Sequence, residues 1–375
     1  MTDKTIAVVF GGNSPEHDIS ILTGLQCERV LQRAGADAVA VYWDRGGEWH
    51  LVPPGSEARH FLDGAPAGSS RLELRLGAQS GWFRRKGVRT AALEVDVVLN
   101  CFHGGFGESG GAQSLFEAMG VPATGGTPAA AALGMDKLAF KTVVAAAGVP
   151  SLPRVLLRRS APPPFPGPYL VKPRFGGSSI GIERAADYET ALALLDSSRH
   201  LRPGAVVEPY RDDVIDLNIA YRTAPRFETS MLEKPLRPED ESAIYSYEQK
   251  YLQGEGLSSA PRELPAQVPA EVTKTAEDLA GQVAELTGLT GIVRVDFLYD
   301  GTDLFVNEVN SIPGAMALYL WPAEVSASAL LLDAVEEARR APRLVGSAEA
   351  DGAALRSAGG IAGKLVGLDG IRSRS

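Results

Sequence analysis

Residues 291–314, GIVRVDFLYDGTDLFVNEVNSIPG, predict two strands joined by a turn, with polar side chains where a buried hairpin is expected to carry none. Arg294 and Asp296 are two residues apart and point to one face of the first strand. Glu308 and Asn310 do the same on the second strand. All four share one face if the turn has an odd number of unpaired residues, or if a β-bulge restores the alternation.

Three of these side chains, Asp296, Glu308 and Asn310, offer oxygen atoms that suit a hard cation such as Mg²⁺. Zinc would require His or Cys, which this stretch lacks. The alternative is a solvated hairpin whose polar face contacts only water. The apolar neighbours favour the metal site, and Gly314, in the turn that follows, would offer a backbone N–H to the same site.

Composition indicates an ordinary globular protein. The 375 residues suffice for two or three domains, and 45% of them are hydrophobic. A net charge of -9 argues against nucleic acid as a partner. The sequence contains no apolar run of membrane-spanning length, and residues 1–10 read as a strand rather than a signal peptide. Together with only two cysteines, Cys27 and Cys101, these features predict a cytoplasmic protein without membrane contact.

The first strand, residues 6–10, is a continuous apolar run typical of a parallel strand that is buried on both faces. Two glycines and a helix follow, with Ser14 as the predicted N-cap. Glu16 either stabilises the helix start through the helix dipole or holds a substrate ammonium group at the carboxyl end of the strand. The dinucleotide pattern G-x-G-x-x-G is absent here.

A second strand is predicted at residues 37–43, and the polar, glycine-rich hairpins over 44–93 are expected to be peripheral. Another buried strand over residues 95–101 leads into a glycine-rich loop that contains His103, and a short strand is predicted at 121–124. A lone His is more often structural than catalytic. His103, however, occupies the same kind of strand end as Glu16, where open α/β sheets bind ligands.

The central part of the chain contains a candidate phosphate-binding loop. A helix is predicted from residue 135 to Ala147, and the strand at 169–173 carries Lys172 before the glycine- and serine-rich residues 174–181. Backbone N–H groups of such a loop can hold phosphates, and Lys172 supplies the local cation that an acidic protein needs. The loop does not have the Walker pattern.

Later segments include a strand with Glu208, a strand with Asp216, a long polar stretch over residues 233–262, and a helix over 272–286. A loop as long as 233–262 is usually functional or disordered.

Taken together, these residues resemble the D-alanine:D-alanine ligase family of the ATP-grasp superfamily. The likeness covers about residues 5–342 and rests on eight motifs in the family's order: VVFGGNSPEHDIS, FHGGFGESGGAQ, GMDKLAFK, VKPRFGGSSIG, VVEPY with Asp216, YSYEQKY, VRVDFLYDG and VNEVNSIPG. It implies an α/β and α+β chain with an ATP-grasp fold and a parallel N-terminal (pre-ATP-grasp) α/β domain. The expected parts are an N-terminal substrate domain (1–134), a central ATP-grasp subdomain (135–215), a C-terminal ATP-grasp subdomain with the metal site (216–344), and a loosely ordered tail (345–375).

The resemblance also implies residue roles. Catalytic positions are Glu16, Ser178, Tyr251, Arg294 and Gly314; the last two stabilise the oxyanion, and the first three form a hydrogen-bonded trio. Substrate positions are His103, Lys250, Tyr319 and Leu320. ATP positions are Lys137, Lys172, Gly177, Ser179, Glu208 and Asp216, with Glu208 and Asp216 facing adenine and ribose. Metal positions are Asp296, Glu308 and Asn310, for two Mg²⁺ ions with Mn²⁺ as an alternative.

The implied function is ATP-dependent ligation of a carboxylate to an amine through an acyl phosphate of a small amino acid, by a homodimer. The family usually has a serine five residues after the glycine of the NSIPG motif, where this chain has Tyr319. This departure favours a specialised ligase whose acceptor is not D-alanine. Two rival classes of protein are a phosphotransferase that stops at phosphorylation and a nucleotide-binding regulator without chemistry.

Overall fold

The residues that the computed structural model describes are 5–77, 79–86, 89–236, 261–342 and 352–357. The chain has two compact units, Met1–Ala341 and Pro342–Ser375. In the second unit the described residues form one short helix, Ala353–Ser357. The predicted limits of the domains at residues 134, 215 and 344 are not tested by this division and stay a prediction.

The N-terminal part is built on one mixed sheet. Its strands are β1 (Ile6–Gly11), β2 (Ala38–Trp43), β3 (Trp49–Leu51), β4 (Ser70–Arg75), β5 (Gly81–Lys86), β6 (Arg89–Ala92) and β7 (Val97–Asn100). The order is β6-β5-β4-β3-β2-β1-β7, with β2, β1 and β7 parallel and the other pairs antiparallel. The hairpins between residues 44 and 93, expected to be peripheral, therefore extend the sheet.

The central strand β1 is buried on both faces, as its apolar run predicts. Helices of this part are α1 (His17–Arg33), α2 (Gly105–Glu108), α3 (Gly111–Met119), α4 (Pro128–Met135) and α5 (Lys137–Ala146). Ile6, Val8 and Phe10 belong to the core that includes α1, while Ala7 and Val9 belong to the core of the opposite face, with α3 and aromatic side chains of the sheet. Because both faces of the strand are buried, polar residues are found where the strands end. The carboxyl ends of the strands are also where open α/β sheets bind ligands.

Two details differ from the sequence predictions. Helix α1 begins at His17 with Glu16 as N-cap, and Ser14 lies in the preceding turn, where its Oγ accepts the backbone N–H of Glu16 at 3.1 Å. The strand expected at 121–124 is a single bridge between Val98 and Ala123.

A four-stranded antiparallel sheet with the order β10-β9-β11-β8 follows. Its elements are β8 (Val155–Leu156), β9 (Tyr169–Pro173), β10 (Glu183–Ala185), α6 (Tyr188–Ser197) and β11 (Ala205–Pro209). The loop between β9 and β10 contains the glycine- and serine-rich segment, so the predicted strand–loop–strand flap is present. Lys172 and Glu208 lie on neighbouring strands, β9 and β11.

The last sheet has the order β13-β12-β16-β17. Its elements, the adjoining two-stranded ribbon and the two remaining long helices are β12 (Ile215–Arg222), β13 (Glu228–Thr229), β14 (Lys234–Pro235), β15 (Arg262–Glu263), α7 (Ala270–Thr287), β16 (Ile292–Tyr299), β17 (Leu304–Asn310) and α8 (Ala327–Arg340). Val293, Val295 and Phe297 of β16 pack with α7 in a buried core. Because side chains alternate along a strand, Arg294 and Asp296 point to the other face.

A β-bulge in β17 sets the register of this hairpin. The turn at residues 300–303 has four residues, an even number, which by itself would put the two polar pairs on opposite faces. The pairing register shifts between Asp296 and Phe297, and this shift leaves Asn307 as the extra residue of β17. Asp296 therefore lies opposite Glu308. The bulge is therefore what restores the alternation.

Candidate active site

One cleft collects most of the predicted site residues. It is bordered by the carboxyl-end loops of β1 and β7, by the flap between β9 and β10, and by the polar face of the β16–β17 hairpin. Predicted site residues that line it are Glu16, His103, Lys137, Lys172, Gly177, Ser178, Ser179, Glu208, Asp216, Arg294, Asp296, Glu308, Asn310, Gly314 and Tyr319. The structure thus brings together positions from nearly the whole length of the chain.

Three predicted positions are not in this group. Lys250 and Tyr251 lie outside the described residues. Leu320 is fully buried in the hydrophobic core, and its backbone oxygen accepts the N–H of Met231 at 3.0 Å. Its apolar side chain therefore does not border the cleft, and its expected role as a substrate contact stays a prediction.

The polar face of the hairpin is tightly connected. Arg294 donates from Nε to Asp296 Oδ1 at 2.6 Å and from Nη2 to Oδ2 at 2.8 Å, while Asn310 Nδ2 donates to the same Oδ2 at 3.0 Å. Glu308 is paired with Asp296 across the strands, and its Oε2 is 3.6 Å from Lys137 Nζ. Carboxylates, guanidinium and amide thus form one network.

The donor chemistry of this face fits Mg²⁺. Within the described part of the chain, no group of three or more His, Cys, Asp and Glu side chains is arranged to hold a metal ion alone. Mg²⁺ needs few protein ligands when phosphate oxygens and water molecules complete its octahedral coordination. Two carboxylates and one amide oxygen are enough for such a site. Asp296, Glu308 and Asn310 would hold the ion, which would supply positive charge to the phosphates.

Lys172 belongs to a buried ion cluster that the sequence did not reveal. Its Nζ donates to Glu208 Oε2 at 2.9 Å and lies 3.3 Å from Asn307 Oδ1. Arg154 donates to the other oxygen of Glu208, to the carbonyl of Lys137 at 2.9 Å, and to the carbonyl of Asn307 at 3.0 Å. Burial lowers the pKa of Lys172, and Glu208 opposes that shift. The bulge residue Asn307 and Arg154 therefore join the two sheets at the cleft.

Glu208 is held between the two cations of this cluster. Burial alone would raise the pKa of this carboxyl group, but Arg154 and Lys172 hold it below the usual value. Both carboxylate oxygens accept hydrogen bonds from these cations, and the expected position of Glu208 facing adenine stays a prediction. The half-buried Asp216 lines the same cleft.

Lys137 is placed by the start of α5. Asp136 caps the helix by accepting the N–H groups of Leu138 and Ala139 at 3.0 and 3.1 Å, and Arg174 Nε donates to Asp136 at 2.8 Å. The Lys137 ammonium group donates to the carbonyl of Gly176. Lys137 therefore stands between the flap and Glu308, with its charge directed into the cleft.

The flap contacts the N-terminal sheet through its serines. Ser178 and Ser179 both have positive φ, 52° and 58°, a strained conformation for residues other than glycine. Ser178 Oγ donates to Glu16 Oε1. The Glu16–Ser178 part of the predicted trio is present, while Tyr251 is outside the described residues.

His103 is a neutral, buried side chain. Burial and the charge of Arg294 lower its pKa to about 4. Its Nε2 is 2.9 Å from Thr23 Oγ1, which in turn accepts the N–H of Ala315 at 3.2 Å. Thr23 of α1 thus links His103 to the turn that carries Gly314.

Glu108 is another residue that sequence reasoning missed. It accepts the Gly104 N–H at 2.9 Å, and burial, with the nearby charge of Glu16, raises its pKa to about 7. Its sequence signal is weak, since it looks like an ordinary helix residue. Arg154 had a clearer signal, as a cation inside the apolar stretch SLPRVLL.

Tyr319 borders the cleft together with two further missed residues. The Arg262 guanidinium carbon is 4.3 Å from the centroid of the Tyr319 ring, and Arg262 Nη1 donates to Glu233 Oε1 at 2.8 Å. Burial raises the pKa of Tyr319 to about 12. Tyr319 is therefore held against Arg262 at the wall of the cleft and does not turn away from it.

Among the described residues, no helix combines the length and apolar character needed to cross a bilayer.

Comparisons with known proteins agree with this geometry. Family models described as the D-ala D-ala ligase N-terminus and C-terminus match residues 5–126 and 141–335. The chain is 31% identical over 349 residues to a D-alanine–D-alanine ligase of Mycolicibacterium vanbaalenii, covering 87% of this chain and 93% of the relative. It is 31% identical over 367 residues to one of Streptomyces avermitilis, covering 89% and 93%.

Solved structures show the same fold. The VanG D-Ala:D-Ser ligase from Enterococcus faecalis matches with a TM-score of 0.72 at 22% identity, over 90% of this chain and 100% of that one. The D-alanine-D-alanine ligase from Coxiella burnetii matches with a TM-score of 0.73 at 21% identity, over 100% of both chains. From its ATP-grasp architecture, its cleft and these relatives, the chain belongs to the D-alanine–D-alanine ligase family and is an ATP-dependent ligase that forms carbon–nitrogen bonds.

Proposed function

We propose that this ligase activates the carboxyl group of a small, D-alanine-like amino acid and joins it to the amine of an acceptor other than D-alanine. The observation that supports this proposal is the position of the Tyr319 side chain at the cleft. Its bulky ring borders the cleft with Arg294 and Gly314, where the family resemblance expects a serine that holds a small acceptor. A ring supported by Arg262 narrows the space for D-alanine there.

The activation half needs a better leaving group than hydroxide. A carboxylate oxygen of the first amino acid attacks the γ-phosphorus of ATP, ADP leaves, and an acyl phosphate forms. Lys137 and Lys172 offset the charge on the phosphate oxygens, and Mg²⁺ held by the hairpin carboxylates would supply further positive charge there. Glu16, buried and hydrogen-bonded to Ser178, meets the ammonium group of this amino acid.

The joining half needs stabilisation of an oxyanion. The neutral amine attacks the acyl carbon, the carbon–nitrogen bond forms, and phosphate leaves as the amine loses its proton. Arg294 and the Gly314 N–H stabilise the oxyanion, an effect of about 3 to 4 kcal/mol per donor in other enzymes. Asp296 orients Arg294 for this task through two hydrogen bonds.

Several finer points are part of the proposal. By resemblance to the family, two Mg²⁺ ions bind with ATP, with Mn²⁺ as an alternative, and the protein is a homodimer in the cytoplasm. A phosphotransferase that stops at the acyl phosphate remains an outcome of the test below, since it would release ADP without a joined product.

The test is an ADP-release assay over D- and L-amino acids, singly and in pairs, with mass analysis of the products. We expect ADP release with a small amino acid as donor and a joined product with an acceptor other than D-alanine. Efficient synthesis of D-alanyl-D-alanine, with no gain from Tyr319→Ser, would overturn the proposed acceptor. Release of ADP without any joined product would instead support the phosphotransferase.

A further inference from the structure

Arg154 is a buried cation behind the wall of the cleft. Its side chain is 4% exposed, and Arg154 itself does not border the cleft. All three nitrogens of the guanidinium group donate hydrogen bonds: Nε to Glu208, Nη1 to the carbonyl of Lys137, and Nη2 to the carbonyl and the side-chain oxygen of Asn307. The three residues that accept these bonds all border the cleft. Arg154 therefore acts on the cleft through its neighbours.

These neighbours belong to three different parts of the fold. Glu208 lies on β11, Lys137 is the first residue of α5, and Asn307 is the bulge residue of β17. The backbone before Arg154 adds a further link to β17, because the carbonyl of residue 150 accepts the N–H of residue 306 at 2.8 Å. A guanidinium group is a planar fork with five N–H donors, so one arginine side chain can hold all three parts in a fixed arrangement.

Arg154 also sets the charge of the buried cluster that it forms with Glu208 and Lys172. The Glu208 carboxylate accepts hydrogen bonds from both cations, and the Lys172 side chain is only 5% exposed. Two positive charges and one negative charge leave one net positive charge on these three side chains. Without Arg154, the remaining Lys172–Glu208 pair would be neutral. Because water screens buried charges little, this difference acts on an anion bound in the cleft.

We infer that Arg154 is a positioning residue for the ATP phosphates, because it shares Glu208 with Lys172 and thereby leaves the charge of Lys172 available to the nucleotide. This inference rests on the proposed role of Lys172 at the phosphates and extends it to a residue that touches no substrate. The alternative is a structural role, in which Arg154 only joins the two sheets.

The two roles differ in how nucleotide binding depends on the charge of the nucleotide. We would measure the dissociation constants of AMP-PNP, a non-hydrolysable ATP analogue, and of adenosine, which has no phosphates, both in the presence of Mg²⁺. The constant for adenosine divided by that for AMP-PNP is called the phosphate preference below. Thermal unfolding checks the fold of each variant.

Arg154→Gln keeps hydrogen-bond donors near Glu208 and Asn307 but removes the charge. We expect it to lower the phosphate preference by about 10-fold, with adenosine binding changed by less than about threefold. Arg154→Lys keeps the charge and should stay within about threefold of wild type for both ligands. Arg159→Gln, whose ion pair with Asp196 has side chains 60% and 62% exposed, is the matched control and should change neither constant.

A double variant tests the charge count directly. Arg154→Gln combined with Glu208→Gln removes one charge of each sign, so it should return the phosphate preference to about that of wild type. If Arg154→Gln alone does not fold, the comparison is made in the Glu208→Gln background. There, adding Arg154→Gln removes one positive charge and should lower the phosphate preference by about 10-fold.

Equal losses of AMP-PNP and adenosine binding in Arg154→Gln would show a structural role and overturn the inference. A double variant whose phosphate preference is no higher than that of Arg154→Gln would overturn it as well. Lys172→Met separates the inference from the proposed function. If Lys172→Met keeps the phosphate preference of wild type, the proposed role of Lys172 fails and the inference fails with it. If Lys172→Met loses this preference and Arg154→Gln does not, only the inference is wrong.

Discussion

Arg294 donates two hydrogen bonds, of 2.6 and 2.8 Å, to Asp296, which is two positions further along β16. The predicted oxyanion donor and a predicted metal ligand therefore form one ion pair, which Asn310 extends by a third hydrogen bond. Any change at Asp296 also releases Arg294. Glu308 is the cleaner position at which to test the metal site, since its distance to the cation of Lys137 is longer, at 3.6 Å.

Glu308→Gln should keep the fold and lose activity by about 100-fold or more, because an amide does not supply the negative charge that a divalent cation needs. ADP release at several Mg²⁺ concentrations measures the effect, and thermal unfolding checks the fold. Glu117→Gln, at an exposed position of α3, is the control. Turnover of Glu308→Gln within a few-fold of wild type would contradict the metal assignment.

Glu16→Ala should weaken binding of the first amino acid while ATP binding persists. Glu16 contacts Ser178 of the flap and follows strand β1 of the N-terminal sheet, whereas Lys172 lies on β9 in contact with Glu208. Calorimetric titration with the donor amino acid and, separately, with a non-hydrolysable ATP analogue distinguishes the two sites. A loss of ATP affinity with unchanged donor affinity would show that Glu16 has been given the wrong substrate.

The Arg154–Glu208–Lys172 cluster predicts non-additive effects on stability. Glu208→Gln leaves two buried cations without the carboxylate that they share, and we expect a loss of about 3 to 5 kcal/mol in the free energy of unfolding. Adding Arg154→Met should recover part of this loss, since it removes one of the uncompensated charges. Denaturant unfolding of both single variants and the double variant measures the coupling. Additive losses would mean that the cluster does not act as a unit.

Glu108 predicts a pH dependence of stability. Burial, with the charge of Glu16, raises its pKa from 4.5 to about 7 in the folded protein. A raised pKa means that the folded state holds its proton more tightly, so this contribution is complete below about pH 4.5 and is lost as the pH rises to about 7. The advantage of wild type over Glu108→Gln in the free energy of unfolding should thus fall by up to about 3 kcal/mol between pH 4.5 and 8. A pH-independent difference would contradict the assignment.

The polar pattern of the hairpin and the ends of the parallel strands could be predicted because they depend on local periodicity. Arg294, Asp296, Glu308 and Asn310 occupy alternate positions among apolar residues, and such a pattern favours one buried and one polar face whatever the rest of the chain does. Glu16 likewise follows an apolar run and two glycines. The order of the motifs along the chain then identified the family and the fold.

Other features depend on contacts between residues far apart in the chain, which periodicity does not specify. The bulge at Asn307 was one of two solutions for the hairpin, and its carbonyl is held by Arg154, 153 residues away. The same Arg154 takes the carboxylate of Glu208, and Arg262 reaches Tyr319 only because the β14–β15 ribbon lies beside the last sheet. Alternation sets the face of a strand on which a side chain lies, but the partner that neutralises a buried charge is chosen by packing in three dimensions.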